Sequence, residues 1–206
     1  ICTMLGHLYT SESSMHYDHI EVPADGEAIV ANPDNTLLVP NNPVIPYIEG
    51  DGIGVDVTPV MLNVVEAAVE QAYGDSRHVR WMPVHAGQRA TEIYGDDAYL
   101  PDETLDALKR FVVSIKGPLA TPTGGGIRSL NVAIRQTMDL YACVRPVRYF
   151  KGVPSPVCAP EKMDVCIFRE NTEDVYAGIE WKKGTKDVKK VIGWLNKSMK
   201  LNIRTD

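Results

Sequence analysis

VIPYIEGDGIGVDVTPVMLNVVEAAV, residues 44–69, reads as a buried strand, a glycine turn and an amphipathic helix in immediate succession. Val44 to Glu49 is a short apolar run closed by Gly50-Asp51-Gly52-Ile53-Gly54. Beyond it, Val57, Val60, Met61, Val64, Val65, Ala68 and Val69 recur at the i, i+3, i+4 spacing that puts side chains on one helix face. Asp56 is the expected helix cap, with Pro59 tolerated in the first turn and Gly74 as the stop. The glycine turn sits where a dinucleotide-binding loop would. However, its last glycine interval holds one residue instead of two, and no acidic residue closes a following strand, so the plainer reading is a tight strand–helix turn.

Working outward, Asn32-Pro33-Asp34-Asn35 separates two apolar runs between Gly26 and Val39, a hairpin signature. Downstream, the spacing predicts a strand over Val79–Val84, a helix after Pro101 and a strand over Phe111–Lys116. A helix near Ser129, strands at Leu140–Val147 and Asp164–Arg169, an extended Tyr176–Trp181 and a helix over 185–200 follow, the last with Val188, Val191, Ile192 and Leu195 on one face. Strands alternating with helices indicate an α/β domain with partly parallel pairing. Residues 1–14 show no period and are expected to be disordered, with Met15 the expected start of the folded protein.

The chain has 206 residues, 44% hydrophobic and 23% charged, with a net charge of −6. That is a globular composition, and its acidity argues against nucleic-acid binding. No run of about 18 apolar residues points to a membrane span, and no basic stretch precedes an apolar one as in a signal peptide. The four cysteines (Cys2, Cys143, Cys158 and Cys166) have no CxxC spacing and read as reduced thiols of a cytoplasmic protein, Cys166 as a small core residue.

In an acidic protein, arginines gathered in one stretch need a local reason. KGPLATPTGGGIRSLNVAIRQTMDLYACVRPVR, residues 116–148, carries three consecutive glycines, Gly124-Gly125-Gly126, that allow close backbone approach, then Ser129 at a helix start where free amides and the helix dipole favour an anion. Asn131 and Arg135, four apart, share a helix face. Arg145 and Arg148 follow on one extended segment and Arg169 on the next. Single surface arginines usually make weak ion pairs. Four around a Gly-Gly-Gly loop, joined by a hydroxyl and an amide, suit a small, multiply charged carboxylic acid gripped by guanidinium forks. Tyr176 is a candidate general acid, although tyrosines in strands more often pack. His16 and His19 could pair on a metal but read more simply as exposed histidines. His78 and His85 have no evident partner, and Trp81, Trp181 and Trp194 are taken as packing residues.

Four strings carry a resemblance: NPVIPYIEGDGIGVDVTP (42–59), IKGPLATPTGGGIRSLNVAIRQ (115–136), DLYACVRPVRYFKGVPSPV (139–157) and FRENTEDVYAGIEW (168–181). From about Tyr17 to Asp206 the chain resembles the bacterial NADP-dependent isocitrate dehydrogenases, within the isocitrate/isopropylmalate (β-decarboxylating) dehydrogenase family. The resemblance implies that family's own α/β fold, not a Rossmann domain, here truncated. Residues 15–140 would be part of the large domain, 141–172 part of the small domain and 173–206 an incomplete dimer clasp.

It further implies oxidative decarboxylation of isocitrate with NADP and Mg²⁺ or Mn²⁺, as in the tricarboxylic acid cycle, by a homodimer. Ser129, Asn131, Arg135, Arg145 and Arg169 would bind isocitrate, and Tyr176 would protonate the enolate left by CO₂ loss. Ala120 and Thr121 would border the nicotinamide, and Lys116 would lie at the pocket edge. Ala120 stands where the best-known enterobacterial form has threonine, which leaves a backbone contact there. Ser129 matches a serine whose phosphorylation switches enterobacterial relatives off. The catalytic lysine, the metal-binding aspartates and the adenosine contacts of the family match nothing in these residues, so the chain alone is expected to be inactive and to hold no metal. Rivals are a sibling enzyme acting on isopropylmalate, homoisocitrate or tartrate, and a non-catalytic dimerising fragment. Ser129 with Asn131 favours isocitrate, because an aliphatic substrate would call for an apolar wall at this helix start.

Overall fold

The computed structural model describes residues 16–120, 129–173, 177 and 179–204. Two units divide the chain, one running through Thr172 and the other from Glu173. In the first, β1 (Val30–Ala31) and β2 (Leu37–Leu38) form the expected antiparallel hairpin. Its turn is held by the Asp34 carboxylate, which accepts from the amide and the hydroxyl of Thr36. The central sheet is parallel: β3 (Val44–Ile48) lies between β4 (Arg80–Pro83) and β5 (Ile115–Lys116). Val44, Ile45, Pro46 and Ile48 are all buried, as a strand covered on both faces requires.

β5 is shorter than the predicted Phe111–Lys116, and two local features account for this. Val112 has φ +64°, left-handed backbone that a β-branched residue extends no strand through. Pro46, which has no N–H to donate, lies one step before Tyr47, the first β3 residue paired with β5. Phe111 instead packs into the core as the residue ending α3 (Asp102–Arg110), beside Ala107 and Leu108.

α1 (Gly54–Tyr73) begins earlier than expected, and Asp56 does not cap it. That carboxylate sits within the first turn, where the helix dipole still favours it. Gly74, at φ +54°, ends the helix. The face turned inward is narrower than the apolar set: Gly54 and Thr58 are buried and Met61, Leu62, Val65 and Val69 half-buried, while Val57, Val60 and Val64 are exposed. A helix that the sequence reading left out, α2 (Gln88–Tyr94), lies between Gly87 and Gly95.

After α4 (Leu130–Thr137), β6 (Ala142–Arg148) and β7 (Asp164–Glu170) form an antiparallel ribbon. Cys166 is exposed on it, contrary to the expectation of a core residue; among the described residues the buried thiol is Cys143. In the second unit, α5 (Lys186–Met199) is capped by the Thr185 hydroxyl, which accepts from the Val188 amide. Val188, Val191, Ile192 and Leu195 do share its half-buried face, whereas Trp181 and Trp194 are exposed instead of packed. Among the described residues no helix is long and apolar enough to cross a membrane.

A cavity of about 510 Å³ opens between the segment around Tyr17 and helices α2 and α3. Tyr17 donates to Asp106 (3.1 Å) and Tyr94 to Glu103, while the exposed His19 ring meets Tyr94 edge-on. With Asp18, Asp102, Glu103 and Asp106 on its walls, this cavity has the wrong charge for a polycarboxylate. His85 lies beside it. Burial, then the Arg89 guanidinium, hold its imidazole below the ordinary value of 6.5, against the pull of Glu103 and a hydrogen bond to the His19 backbone. The fold therefore disfavours protonated His85 more than the unfolded chain does. Its contribution to stability is full above pH 6.5 and is lost as pH falls below that value. Melting temperatures between about pH 7.5 and 5.5 should fall more steeply for the parent than for His85→Asn; parallel slopes would refute the assignment.

Candidate functional site

Parallel α/β sheets bind ligands at the carboxyl ends of their strands. Here those ends run into Glu49–Gly54 after β3, His85–Gln88 after β4 and Gly117–Ala120 after β5. The strands' exits are packed backbone to backbone: the Asp51 amide donates to the Pro118 carbonyl (2.7 Å) and Gly117 to Ile48 (2.7 Å). The Thr58 hydroxyl donates to the Glu49 carbonyl (2.7 Å), tying the turn to α1. Gly50-Asp51-Gly52-Ile53-Gly54 is thus a structural turn whose backbone is engaged by the neighbouring segment.

Asp51, which the sequence reading passed over, organises this edge. Its Oδ1 accepts from the Gln88 amide (2.8 Å) and its Oδ2 from the Ala120 amide (2.8 Å). Ala120 therefore keeps a carbonyl for a ligand but not its N–H, which narrows the backbone contact expected there. Thr121 and Tyr176 lie outside the described residues.

Lys116 is exposed along its side chain, but its ammonium donates to the Gly117 carbonyl (2.7 Å) and is partly shielded. Burial, then the nearby Arg135 guanidinium, lower its pKa, and Asp51 acts in the opposite direction. Lys116 of β5 thus feels the charge of one cation from another element and of a carboxylate whose oxygens already serve two amides. An anion placed between Lys116 and Arg135 would relieve their repulsion.

Ser129 occupies the cap position of α4, half-buried, and its side chain makes no capping hydrogen bond. Its carbonyl takes both the Val132 and Ala133 amides (2.9 Å each), so the Leu130 and Asn131 amides are the donors the helix itself does not use. The Asn131 amide group donates to the Leu119 carbonyl (3.3 Å), fastening the first turn of α4 to the segment after β5. That bond sets the α4 turn carrying Ser129 and Asn131 against the segment that follows Lys116, and Lys116 lies near enough to Arg135 to feel its charge.

The remaining arginines are on the ribbon. Cys143 pairs with Arg169, Arg145 with Ile167 and Arg148 with Asp164. Side chains alternate along each strand, so Arg145 and Arg169 share the face of buried Cys143, while Arg148 faces the other way. Arg145 is exposed and Arg169 half-buried. Asn171, two residues beyond Arg169, is buried: it accepts from the Cys143 thiol (2.9 Å) and donates to the Leu140 carbonyl (3.0 Å). The Leu140 amide in turn donates to the Arg135 carbonyl (3.0 Å). This chain of bonds joins the Arg169 end of the ribbon to the Arg135 end of α4. Among the described residues no three His, Cys, Asp or Glu side chains gather where they could hold a metal ion, His16 and His19 included.

A family model described as isocitrate/isopropylmalate dehydrogenase matches residues 44–200. An NADP isocitrate dehydrogenase of Pseudomonas aeruginosa is 60% identical over 185 residues, covering 90% of this chain and 44% of that protein. One from Coxiella burnetii is 62% identical over 172 residues, 84% of this chain and 40% of its own length. Among solved structures, isocitrate dehydrogenase from Methylococcus capsulatus superposes with a TM-score of 0.57 at 39% identity, over 66% of this chain and 37% of that one. The chain spans less than half the length of the curated relatives it matches.

Proposed function

Because the chain belongs to the isocitrate/isopropylmalate dehydrogenase family, we propose that it supplies the carboxylate-binding part of an NADP-dependent isocitrate dehydrogenase. The observation that carries this reading is the fastening of the uncapped first turn of α4, through Asn131, to the Leu119 carbonyl at the carboxyl edge of the sheet, with Lys116 close enough to Arg135 for that charge to lower its pKa. Ser129 and the first-turn amides of α4 receive one substrate carboxylate. Arg135, with Arg145 and Arg169 from the ribbon, grips the others through charge-assisted hydrogen bonds. Asn131 orients the substrate against the segment after β5. Holding a flexible tricarboxylic acid in one pose is itself a large part of catalysis. Tyr176 delivers the proton once CO₂ has left, with Lys116 at the pocket edge.

Ala120 and Thr121 would border NADP⁺, the Ala120 carbonyl being the described backbone group left for it; when bound, NADP⁺ would supply the acceptor for the substrate's hydride. Among the described residues no three His, Cys, Asp or Glu side chains gather to hold Mg²⁺ or Mn²⁺; when bound, such an ion would polarise the substrate's reacting oxygen and the adjacent carboxylate. Residues 15–140 and 141–172 correspond to parts of the large and small domains and 173–206 to part of a clasp through which two copies pair. The activity is cytoplasmic.

Two proteins test this reading. The first replaces the matching segment of the Pseudomonas aeruginosa relative with this chain. It should reduce NADP⁺ with isocitrate and not with isopropylmalate. The second is the 206-residue chain alone, which should reduce NADP⁺ with neither substrate. A folded graft that turns over isopropylmalate, or a lone chain that turns over isocitrate, would overturn the proposal.

A further inference from the structure

Segments leaving all three strands of the parallel sheet meet on one side chain. Asp51 follows β3, Gln88 follows β4, and Ala120 follows β5. The two oxygens of the Asp51 carboxylate take one amide each from the second and third of these, both at 2.8 Å, and the Asp51 amide donates back to Pro118. The approach is close enough that a methyl group at Gly87 would lie 2.4 Å from Asp51 Oδ2, so glycine there is what admits the carboxylate. The segment held in this way begins at Lys116, which lies near enough to Arg135 to feel its charge, and is fastened to α4 at Leu119 through Asn131.

We propose that Asp51 is a positioning residue for the substrate site, an inference that rests on the carboxylate-binding reading above. Asp51 touches no substrate atom. It sets where Gly117–Ala120 runs, and with that the separation of Lys116 from Arg135 and of both from the start of α4. The role calls for two acceptor atoms on one side chain. A carboxylate has them; a carboxamide has one, and its NH₂ would be turned toward an amide donor.

Asp51→Asn therefore keeps the shape and loses one of the two anchors. Backbone hydrogen exchange, followed by mass spectrometry on the 206-residue chain, should speed up in peptides covering 116–120 and 87–90, and titrated isocitrate should bind about tenfold more weakly, the scale of one charge-assisted hydrogen bond. Thr58→Val supplies the structural comparison. It removes the Thr58–Glu49 bond in the same turn without touching Ala120, and should lower the melting temperature while leaving exchange at 116–120 and isocitrate affinity at parental values. Unchanged exchange at 116–120 in Asp51→Asn overturns the proposal. So does accelerated exchange with undiminished affinity, or a matching loss of affinity in Thr58→Val. A parent chain that binds no isocitrate refutes the carboxylate-binding reading instead, and the exchange result alone then decides whether Asp51 sets the segment.

Discussion

Replacing Gly117 by alanine is expected to leave the first unit unable to fold. A Cβ at this position would lie 2.0 Å from the Glu49 carbonyl oxygen and 2.7 Å from its carbon, with the Ile48 oxygen at 3.0 Å. All three are backbone atoms at the end of the central strand, so no side-chain rotation can clear the overlap. Moving the segment away would break the Gly117 amide's bond to Ile48 (2.7 Å) and the Asp51 amide's bond to Pro118. The pairing of β5 and the position of Ala120 would go with them. The conflict should cost more than about 4 kcal/mol, against a total stability of about 5–15 kcal/mol for a domain.

Gly50→Ala should do the same from the other side, because its Cβ would meet the Pro118 oxygen at 2.2 Å and its φ of +95° disfavours any side chain. Gly193→Ala is the counterpart. That residue lies within α5 with nothing within 4 Å of a Cβ, and alanine there should stabilise the helix by up to about 1 kcal/mol. Circular dichroism melts separate the cases. A Gly117→Ala chain melting within a few degrees of the parent would mean that β3 and the segment after β5 are not in this contact.

What the sequence discloses about this fold depends on how local each cause is. β3 was legible because a fully buried strand must be an unbroken apolar run, and Val44 to Ile48 is one; the parallel pairing was legible because strands alternate with helices along the chain. α5 was legible because its half-buried residues fall at one helical spacing. α1 was legible as a helix but not in its contacts: periodicity shows which residues could be covered, and only packing decides that Val60 and Val64 are not. β5 was overread because nothing in the identity of Val112 announces a left-handed backbone. α2, at seven residues, is too short for a helical period to emerge.

In the candidate site, Ser129 at a helix start was readable from the glycines before it and the spacing after it. Placing Arg145 with Arg169 and apart from Arg148 needs the register of two strands, and the 24 residues from Arg145 to Arg169 do not encode it locally. Asp51 was invisible for the same reason in stronger form. Its two amide partners lie 37 and 69 residues away, and a backbone amide leaves no mark on the sequence.

Ser129→Asp should abolish isocitrate binding while leaving α4 at least as stable as before. The cap position is one where aspartate serves well: its carboxylate can accept from the first-turn amides and sits at the positive end of the helix dipole. The parent serine makes no capping bond, so the substitution takes nothing from the helix. The donors that aspartate would satisfy are the ones assigned to a substrate carboxylate, and its charge would sit where that carboxylate must come. Two like charges about 4 Å apart at an effective dielectric constant of about 20 repel by about 4 kcal/mol, close to a thousandfold in affinity. Arg135 and Lys116 would be partly neutralised by the new carboxylate, which removes attraction as well. A phosphate on Ser129, carrying roughly −1.5 to −2 charges at pH 7, would act in the same direction and more strongly. Ser129→Ala removes one hydroxyl and adds no charge, so it should weaken binding by about tenfold and no more. Titration calorimetry of isocitrate into the three chains, paired with their melting curves, separates a blocked site from a damaged helix. A Ser129→Asp chain that holds its melting temperature and still binds isocitrate as the parent does would place the substrate away from the start of α4.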